Sequence, residues 1–557
     1  MSTTTADHDT QAPAAAQPAH LLSFGGDLEN LIDPERLAAL QASYARDFAA
    51  LNAALARGEV PSGFDDKRFV DTAWQAQPGS AGIAAIYLLN SRYLHALADA
   101  VEGGRKQRER IRFMVEQWTA AAAPSNFLMT NPRAMQALVE SEGETLRKGI
   151  GQWLSDAANG QILQVDPTPF KVGESLAVTP GAVVYENRLF QLIQYRPVTP
   201  SVQARPLIIV PPCINKFYIL DLQPKNSLVR GALEAGFQVF MVSWRNPDES
   251  LAGLSWDDYI GDGVLAAIDA TRAISASDTV NAMGFCVGGT LLATAAAVAA
   301  ARGEQPCESI TLLTTMLDFA DTGVLDVFID EDHVSMRERT IGSLAPKPGL
   351  MRGTEFARTF SMLRPNDLVW PFVIDNYLLG KTPPAFDLLY WNADSTNLPG
   401  AMFGWYLRHT YLENRLREPD ALEVCGVPVD FGRIRCPAFI FASREDHIVP
   451  WQTAYASRQL LGGESTFLLG ASGHIAGVIN PPAANKRHYW AAPSAAADAS
   501  ADAWLGQATR AAGSWWPAWH AWLGQHGGGE VPARESLGAA GYEPIEPAPG
   551  RYVAEPA

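Results

Sequence analysis

Residues 279–301 read TVNAMGFCVGGTLLATAAAVAAA, and the fold depends on how that stretch is divided. It carries no charge and, taken as one helix, is long enough to span a bilayer. Its composition argues otherwise. The first seven residues suit a buried strand, glycines at 284, 288 and 289 break the run, and only the Ala-rich remainder suits a helix. The stretch therefore predicts strand, tight turn and helix. At the turn, Gly284-Phe285-Cys286-Val287-Gly288 has the form G-x-C-x-G, in which glycines permit a turn too tight for Cβ atoms and lift a nucleophile clear of the sheet. A buried cysteine at a Gly-rich turn would look the same locally. The flanking chain decides between them.

Upstream, VVYENRLFQLIQYRP (183–197) predicts two strands with a turn near Glu186-Asn187, LIIVPP (207–212) a buried strand and QVFMVSW (238–244) another. Helical segments are expected around 225–235 and 257–274. Downstream, ESITLLTT (308–315), AFIFAS (438–443) and STFLLG (465–470) continue the series. Strands alternating with helices imply a mainly parallel sheet covered on both faces. The interval of about 316–430, rich in Trp, Tyr, Phe, Pro and Asn, predicts a lid or cap insertion, and residues 27–175 a mainly helical N-terminal domain. In that domain, Asn131 or Asn126 is expected to cap a helix. Residues 1–26 read as a flexible Ala/Pro/Thr tail without the basic and apolar segments of a secretory signal, and 176–557 as the catalytic domain.

With the elbow in this frame, chain order supplies the partners. α/β-hydrolases place nucleophile, acid and histidine in that sequence, each in a loop after a strand. Asp446 follows AFIFAS, and His474 follows STFLLG. A helix cap and an idle loop histidine are the plain alternatives for each. A free thiol has a pKa of about 8.5 and attacks as its anion, so His474 is expected to take the proton of Cys286, with Asp446 orienting the imidazole. An oxyanion needs two aimed N–H donors. One is expected from Val287 and one from the loop Pro211-Pro212-Cys213-Ile214-Asn215, where proline cannot donate and Ile214 is favoured.

A net charge of −17 argues against nucleic acid as partner. Five cysteines at 213, 286, 307, 425 and 436 form no CxxC pair and predict reduced thiols in a cytoplasmic protein. No metal-ligand spacing, phosphate loop or dinucleotide fingerprint is visible, so neither metal nor cofactor is expected.

The segments PSNFLMTNP (124–132), PPCINKFYILDLQPKNSLVR (211–230), GFCVGGT (284–290), LRPNDLVW (363–370), SREDHIVPW (443–451), SGHIAGVINPP (472–482) and GSWWPAW (513–519) resemble the polyhydroxyalkanoate synthases. The resemblance covers all but roughly the first 25 residues. It implies an α/β-hydrolase-fold acyltransferase that polymerises (R)-3-hydroxyacyl-CoA with release of CoA, with the family's catalytic cysteine, aspartate and histidine falling on Cys286, Asp446 and His474. Coenzyme A would be part of the substrate and a product. The implied type is class I: short-chain monomers, a homodimer, and a place at the surface of cytoplasmic polyester granules with the growing chain attached to Cys286. The family leaves open whether Asp446 or His474 deprotonates the incoming hydroxyl. By position, Arg364 and Arg408 are candidates for CoA phosphates, and Trp370 and Trp405 for the acyl path. Trp515, Trp516 and Trp519 are read as packing or granule contacts. The rival readings are a cysteine thioesterase or intracellular depolymerase on the same fold, and a non-catalytic granule-associated protein.

Overall fold

The computed structural model describes residues 31–492 and 499–557; the tail expected over 1–26 lies outside them. Eleven strands form one sheet: β1 Gly181–Glu186, β2 Phe190–Tyr195, β3 Leu207–Val210, β4 Val239–Trp244, β5 Val280–Phe285, β6 Cys307–Leu313, β7 Ala438–Ser443, β8 Ser465–Gly470, β9 His488–Ala491, β10 Thr509–Ala512 and β11 Glu546–Pro547. Their order is β10-β9-β8-β7-β6-β5-β3-β4-β2-β1-β11. The centre, from β4 to β8, is parallel throughout. Antiparallel strands close both sides. The result is a mixed α/β-hydrolase sheet preceded by helices.

Alternate residues of the central strands serve two cores. Ile208, Val210, Ala282, Leu312 and Ile440 pack with the helix Val287–Ala301 on one face. Leu207, Ile209, Met283, Leu313 and Phe439 pack with Trp515, Trp516 and Trp519 on the other. Both faces being covered, the strands read as unbroken apolar runs. Burying each large side chain contributes about 1.5–3 kcal/mol. The uncharged stretch 279–301 is thus β5, the elbow and a buried helix, and among the described residues no helix is long and apolar enough to cross a membrane.

The turn between β1 and β2 is made by Asn187, whose side chain accepts from the backbone N–H groups of Leu189 and Phe190. β9, β10 and β11 are additions to the expected series. They sit at the sheet edges, where HYWA and TRAA need neither two buried faces nor strict alternation, so their sequences carry little strand signal.

In the N-terminal part, helices span Pro34–Ala56, Pro78–Ala100, Arg105–Ala121 and Pro132–Glu140. Asn131 caps the last, accepting from Ala134 N–H at 3.1 Å, whereas Asn126 donates to the carbonyls of Ala120 and Ala121. The chain divides into two compact units between Arg147 and Lys148, inside the helix Glu144–Asn159. Between β6 and β7 the segment 316–430 is largely helical, with Glu331–Thr340, Gly353–Leu363 and Gly400–Tyr406 as its main pieces.

Candidate active site

Four loops leave the C-terminal ends of β3, β5, β7 and β8, and because these strands are parallel the loops gather at one edge. The elbow stands between them. Cys286 has φ 53° and ψ −127°, a region that non-glycine residues avoid and that costs about 1–3 kcal/mol. It is held there by Cys286 N–H donating to Leu313 O at 2.9 Å and Thr315 Oγ1 donating to Cys286 O at 3.2 Å. The glycines are required by close approach: a Cβ on Gly284 would meet the Gly289 backbone, one on Gly288 the carbonyls of Val210 and Pro211, and one on Gly289 the Thr315 side chain.

His474 opens the short helix His474–Val478, and its ring lies 5.6 Å, centroid to centroid, from that of Phe285, the residue before the nucleophile. Its Nδ1 is 2.6 Å from Asp446 Oδ2. Asp446 Oδ1 accepts from the N–H groups of Ile448 and Val449 at 2.8 and 2.9 Å. The carboxylate is 0% exposed and fully engaged. With Nδ1 taken, Nε2 is the ring nitrogen left to serve Cys286, which lines the same cavity. Burial opposes a charged imidazole, but the Asp446 carboxylate and the Cys286 thiolate outweigh it and hold the His474 pKa up at about 10.

Val287 is the first residue of the helix Val287–Ala301, so no intrahelical carbonyl is available to its N–H. Across from it, the loop after β3 brings Ile214 to the same space as Cys286. That loop is anchored from below: Lys216, 5% exposed in its side chain, donates from Nζ to Val553 O and Glu555 O, each at 2.7 Å, and pairs with Asp394 at 3.0 Å. Its carbonyl accepts from Trp391 Nε1.

Cys286 opens on two cavities. One, of about 260 Å³, contains His474, Asn215, Arg364 and His447. The other, of about 150 Å³, runs under the segment 316–430 and is walled mostly by apolar groups such as Met351, Phe356, Leu398 and Phe403, with His333 and Arg337 among them. Ile214, Phe360 and Ile448 border both.

Of the four peripheral residues expected from sequence, the structure brings only Arg364 to these cavities, where it pairs with Asp367 at 2.6 Å. Arg408 lines neither; it forms a bidentate pair with Glu338, at 2.6 and 2.7 Å, and also bonds Glu331 and Glu413. Trp405 stacks on Trp256 at 4.7 Å, and Trp370 borders neither cavity. Trp515, Trp516 and Trp519 are buried, their indole N–H groups donating to Gly477 O, Val478 O and Thr311 Oγ1. His447, a residue sequence reasoning did not put among the site residues, lines the cavity that contains His474, and its position beside Asp446 was the available signal. Burial holds its pKa below the usual imidazole value, Asp446 working against the shift.

A family profile described as the N-terminus of poly-beta-hydroxybutyrate polymerase (PhaC) matches residues 65–232, and one described as the alpha/beta hydrolase fold matches 206–481. The chain is 56% identical over 525 residues to the poly(3-hydroxyalkanoate) polymerase subunit PhaC of Cupriavidus necator, covering 94% of this chain and 89% of that protein. It is 42% identical over 491 residues to poly(3-hydroxyalkanoate) polymerase 2 of Ectopseudomonas oleovorans, covering 88% and 86%. Among solved structures, a monoacylglycerol lipase of Paleococcus ferrophilus is similar with a TM-score of 0.33 and 13% identity, covering 51% of this chain and 90% of the lipase.

Proposed function

The chain belongs to the poly(3-hydroxyalkanoate) polymerase family and is a polyhydroxyalkanoate synthase, an acyltransferase; from that premise we propose that it is a class I enzyme polymerising short-chain (R)-3-hydroxyacyl-CoA, foremost 3-hydroxybutyryl-CoA, through a thioester on Cys286. The observation that carries the chemistry is the fully engaged Asp446–His474 pair in one cavity with Cys286, which stands at the junction of two.

His474 takes the thiol proton, and the Cys286 thiolate adds to the thioester carbonyl. The developing oxyanion meets the N–H groups of Val287 and Ile214. The carbonyl re-forms, the C–S bond to CoA breaks, and the CoA thiolate leaves with the proton held by His474. In the second half, His474 takes the proton of a hydroxyl on another hydroxyacyl unit. The alkoxide oxygen adds to the acyl carbonyl, the bond to Cys286 breaks, and the thiolate is restored beside the imidazolium. Asp446 has no lone pair directed to solvent, which supports His474 as proton carrier in both halves and Asp446 as the group that orients it.

The preference for short monomers draws support from the apolar cavity. A cavity of about 150 Å³ accommodates benzene, with its six non-hydrogen atoms, and a 3-hydroxybutyryl unit also has six. Arg364 and His447, in the wider cavity, suit the CoA side. The segment 316–430 acts as a cap that keeps water from the acyl-Cys286 thioester, favouring transfer to an alcohol. The working form is a homodimer at the surface of cytoplasmic polyester granules.

The deciding experiment is incubation of the pure protein with (R)-3-hydroxybutyryl-CoA. Free CoA with insoluble polyester is expected; free CoA with soluble 3-hydroxy acid would make the protein a hydrolase. His474→Gln is expected to lose both acylation and elongation by at least about 100-fold, the weight of a general base, with Asp446→Asn lowering both in parallel. Trapped labelled acyl-enzyme reads the two steps separately. An Asp446→Asn enzyme that acylates at full rate yet fails to elongate would move the hydroxyl proton to Asp446.

A further inference from the structure

A growing chain cannot stay where one unit fits. The apolar cavity under the cap matches a single hydroxybutyryl unit, and the catalytic cavity must also admit the next thioester. Beside the catalytic cavity lies a third, of about 300 Å³, which holds none of the catalytic residues. Leu368 and Asn392 stand in the walls of both. From that inner lip the third cavity reaches the surface, where Leu163 and Met362, 39% and 52% exposed, border it together with the exposed Arg358. Its walls come from the chain that follows the helix Glu144–Asn159, from the cap helix Gly353–Leu363 and from the end of the helix Asp387–Ala393, all within the second compact unit.

Two products have to leave the catalytic cavity, and their chemistry differs. CoA carries a diphosphate and a further phosphate, which call for clustered cations. Polyester is neutral: each unit offers a carbonyl acceptor and a methyl group, and the chain has no donor before its end. Among the described residues, the charged walls of the third cavity are one of each sign, and both are engaged. Arg358 donates from Nη2 to Gly160 O at 2.7 Å, and Asp156 accepts from Leu163 N–H and the Tyr377 hydroxyl at 3.0 and 2.7 Å. The rest of the wall joins apolar groups such as Ile162, Val165 and Val369 to side chains that can donate to a carbonyl, Thr354, Ser361 and Asn392 among them. The cations that suit phosphate, Arg364 and His447, belong to the catalytic cavity instead. Resting on the polymerase reading above, we propose that the third cavity is the exit subsite of the polyester. The chain crosses the lip at Leu368 and Asn392, and, at about 150 Å³ for one unit, about two units lie beyond it. CoA departs on the Arg364 side, so the chain keeps its hold while each CoA is exchanged for the next thioester.

The test sets two competitors against (R)-3-hydroxybutyryl-CoA in a CoA-release assay. One is the linear trimer of (R)-3-hydroxybutyrate as its methyl ester, with the terminal hydroxyl methylated so that it cannot react; the other is CoA, with release followed by a labelled substrate. Ala357→Trp, from the cap helix, and Ala393→Trp, from the helix Asp387–Ala393, each place an indole in the third cavity. Ala393 is exposed, so that variant has room to fold, and melts confirm which variants do. Each folded variant is expected to raise the inhibition constant of the trimer at least about tenfold and that of CoA by less than about twofold, and to make shorter polyester. A wild-type enzyme that the trimer does not inhibit would overturn the assignment, as would a trimer constant unchanged in the folded variants or equal losses for the two competitors. A loss confined to CoA would give the cavity to CoA and overturn it as well. A wild-type protein that releases no CoA from the substrate would instead defeat the polymerase reading on which it rests.

Discussion

Gly289 shows how much of the site depends on a single missing Cβ. The atom it lacks would occupy the place of the Thr315 side chain, whose hydroxyl bonds Cys286 O and Leu313 O. Gly289→Ala is expected to cost about 1–3 kcal/mol by overpacking and to lower the acylation rate as the elbow shifts; denaturant melts and burst-phase CoA release measure the two. The glycines at 284, 288 and 289 that break the apolar run made this legible, because a tight turn with close backbone approach is what needs glycine there. Asp221 gave no such signal. It is fully buried, accepting from Thr179 and Ser227 at 2.6 Å each, with Oδ2 lacking a partner among the described residues. Burial, only partly offset by those hydroxyls, raises its pKa from 3.8 to about 6. Between these values the folded protein holds a proton that the unfolded chain has lost, so stability falls as pH rises through the window and the penalty is complete above it. Asp221→Asn should flatten that slope by up to about 3 kcal/mol across pH 4 to 6, measured as the pH dependence of the denaturation free energy; an unchanged slope would reject the account.

At the scale of elements, His474 is placed by a helix of five residues that cannot hold itself, since isolated helices so short are unstable in water. What holds it is the indole row that follows β10: Trp515 and Trp516 donate to the carbonyls of Gly477 and Val478, and Trp515 stacks on Phe441 at 4.2 Å. Trp515→Phe keeps most of the apolar volume and removes the donor, so it is expected to cost about 1–3 kcal/mol through the orphaned carbonyl and to lower kcat more than it raises KM. A variant of unchanged stability and kcat would show that the helix is held otherwise. In sequence these tryptophans read equally as core or as surface contacts, because clustered aromatics have no direction until the sheet face beneath them is known. The same ambiguity hid the fate of Arg408: three carboxylates converge on it, Glu331 and Glu338 from one helix and Glu413, and only Glu413 is near in sequence.

For the molecule as a whole, the parallel centre of the sheet was readable because strands buried on two faces must be continuously apolar, and the chain order of Cys286, Asp446 and His474 follows from three such strands. The edges were not, since β9 to β11 are under no such demand. Nor was the apolar cavity, whose walls range from Ile214 to Ile448 and share no local pattern. The last residues of the chain are part of this long-range construction, because Val553 and Glu555 offer the carbonyls that receive the buried ammonium of Lys216, next to the loop that carries Ile214. Deleting 553–557 is therefore expected to cost about 1–3 kcal/mol through the two acceptors lost to the buried Lys216 ammonium, which keeps only Asp394, and to slow CoA release, with melts and initial rates as the measure. In practical terms residues 553–557 are a poor place for alteration: a proteolytic cut just before them should slow the enzyme while most of the protein still runs as a folded species, and an insertion there has to leave those two carbonyls where they are.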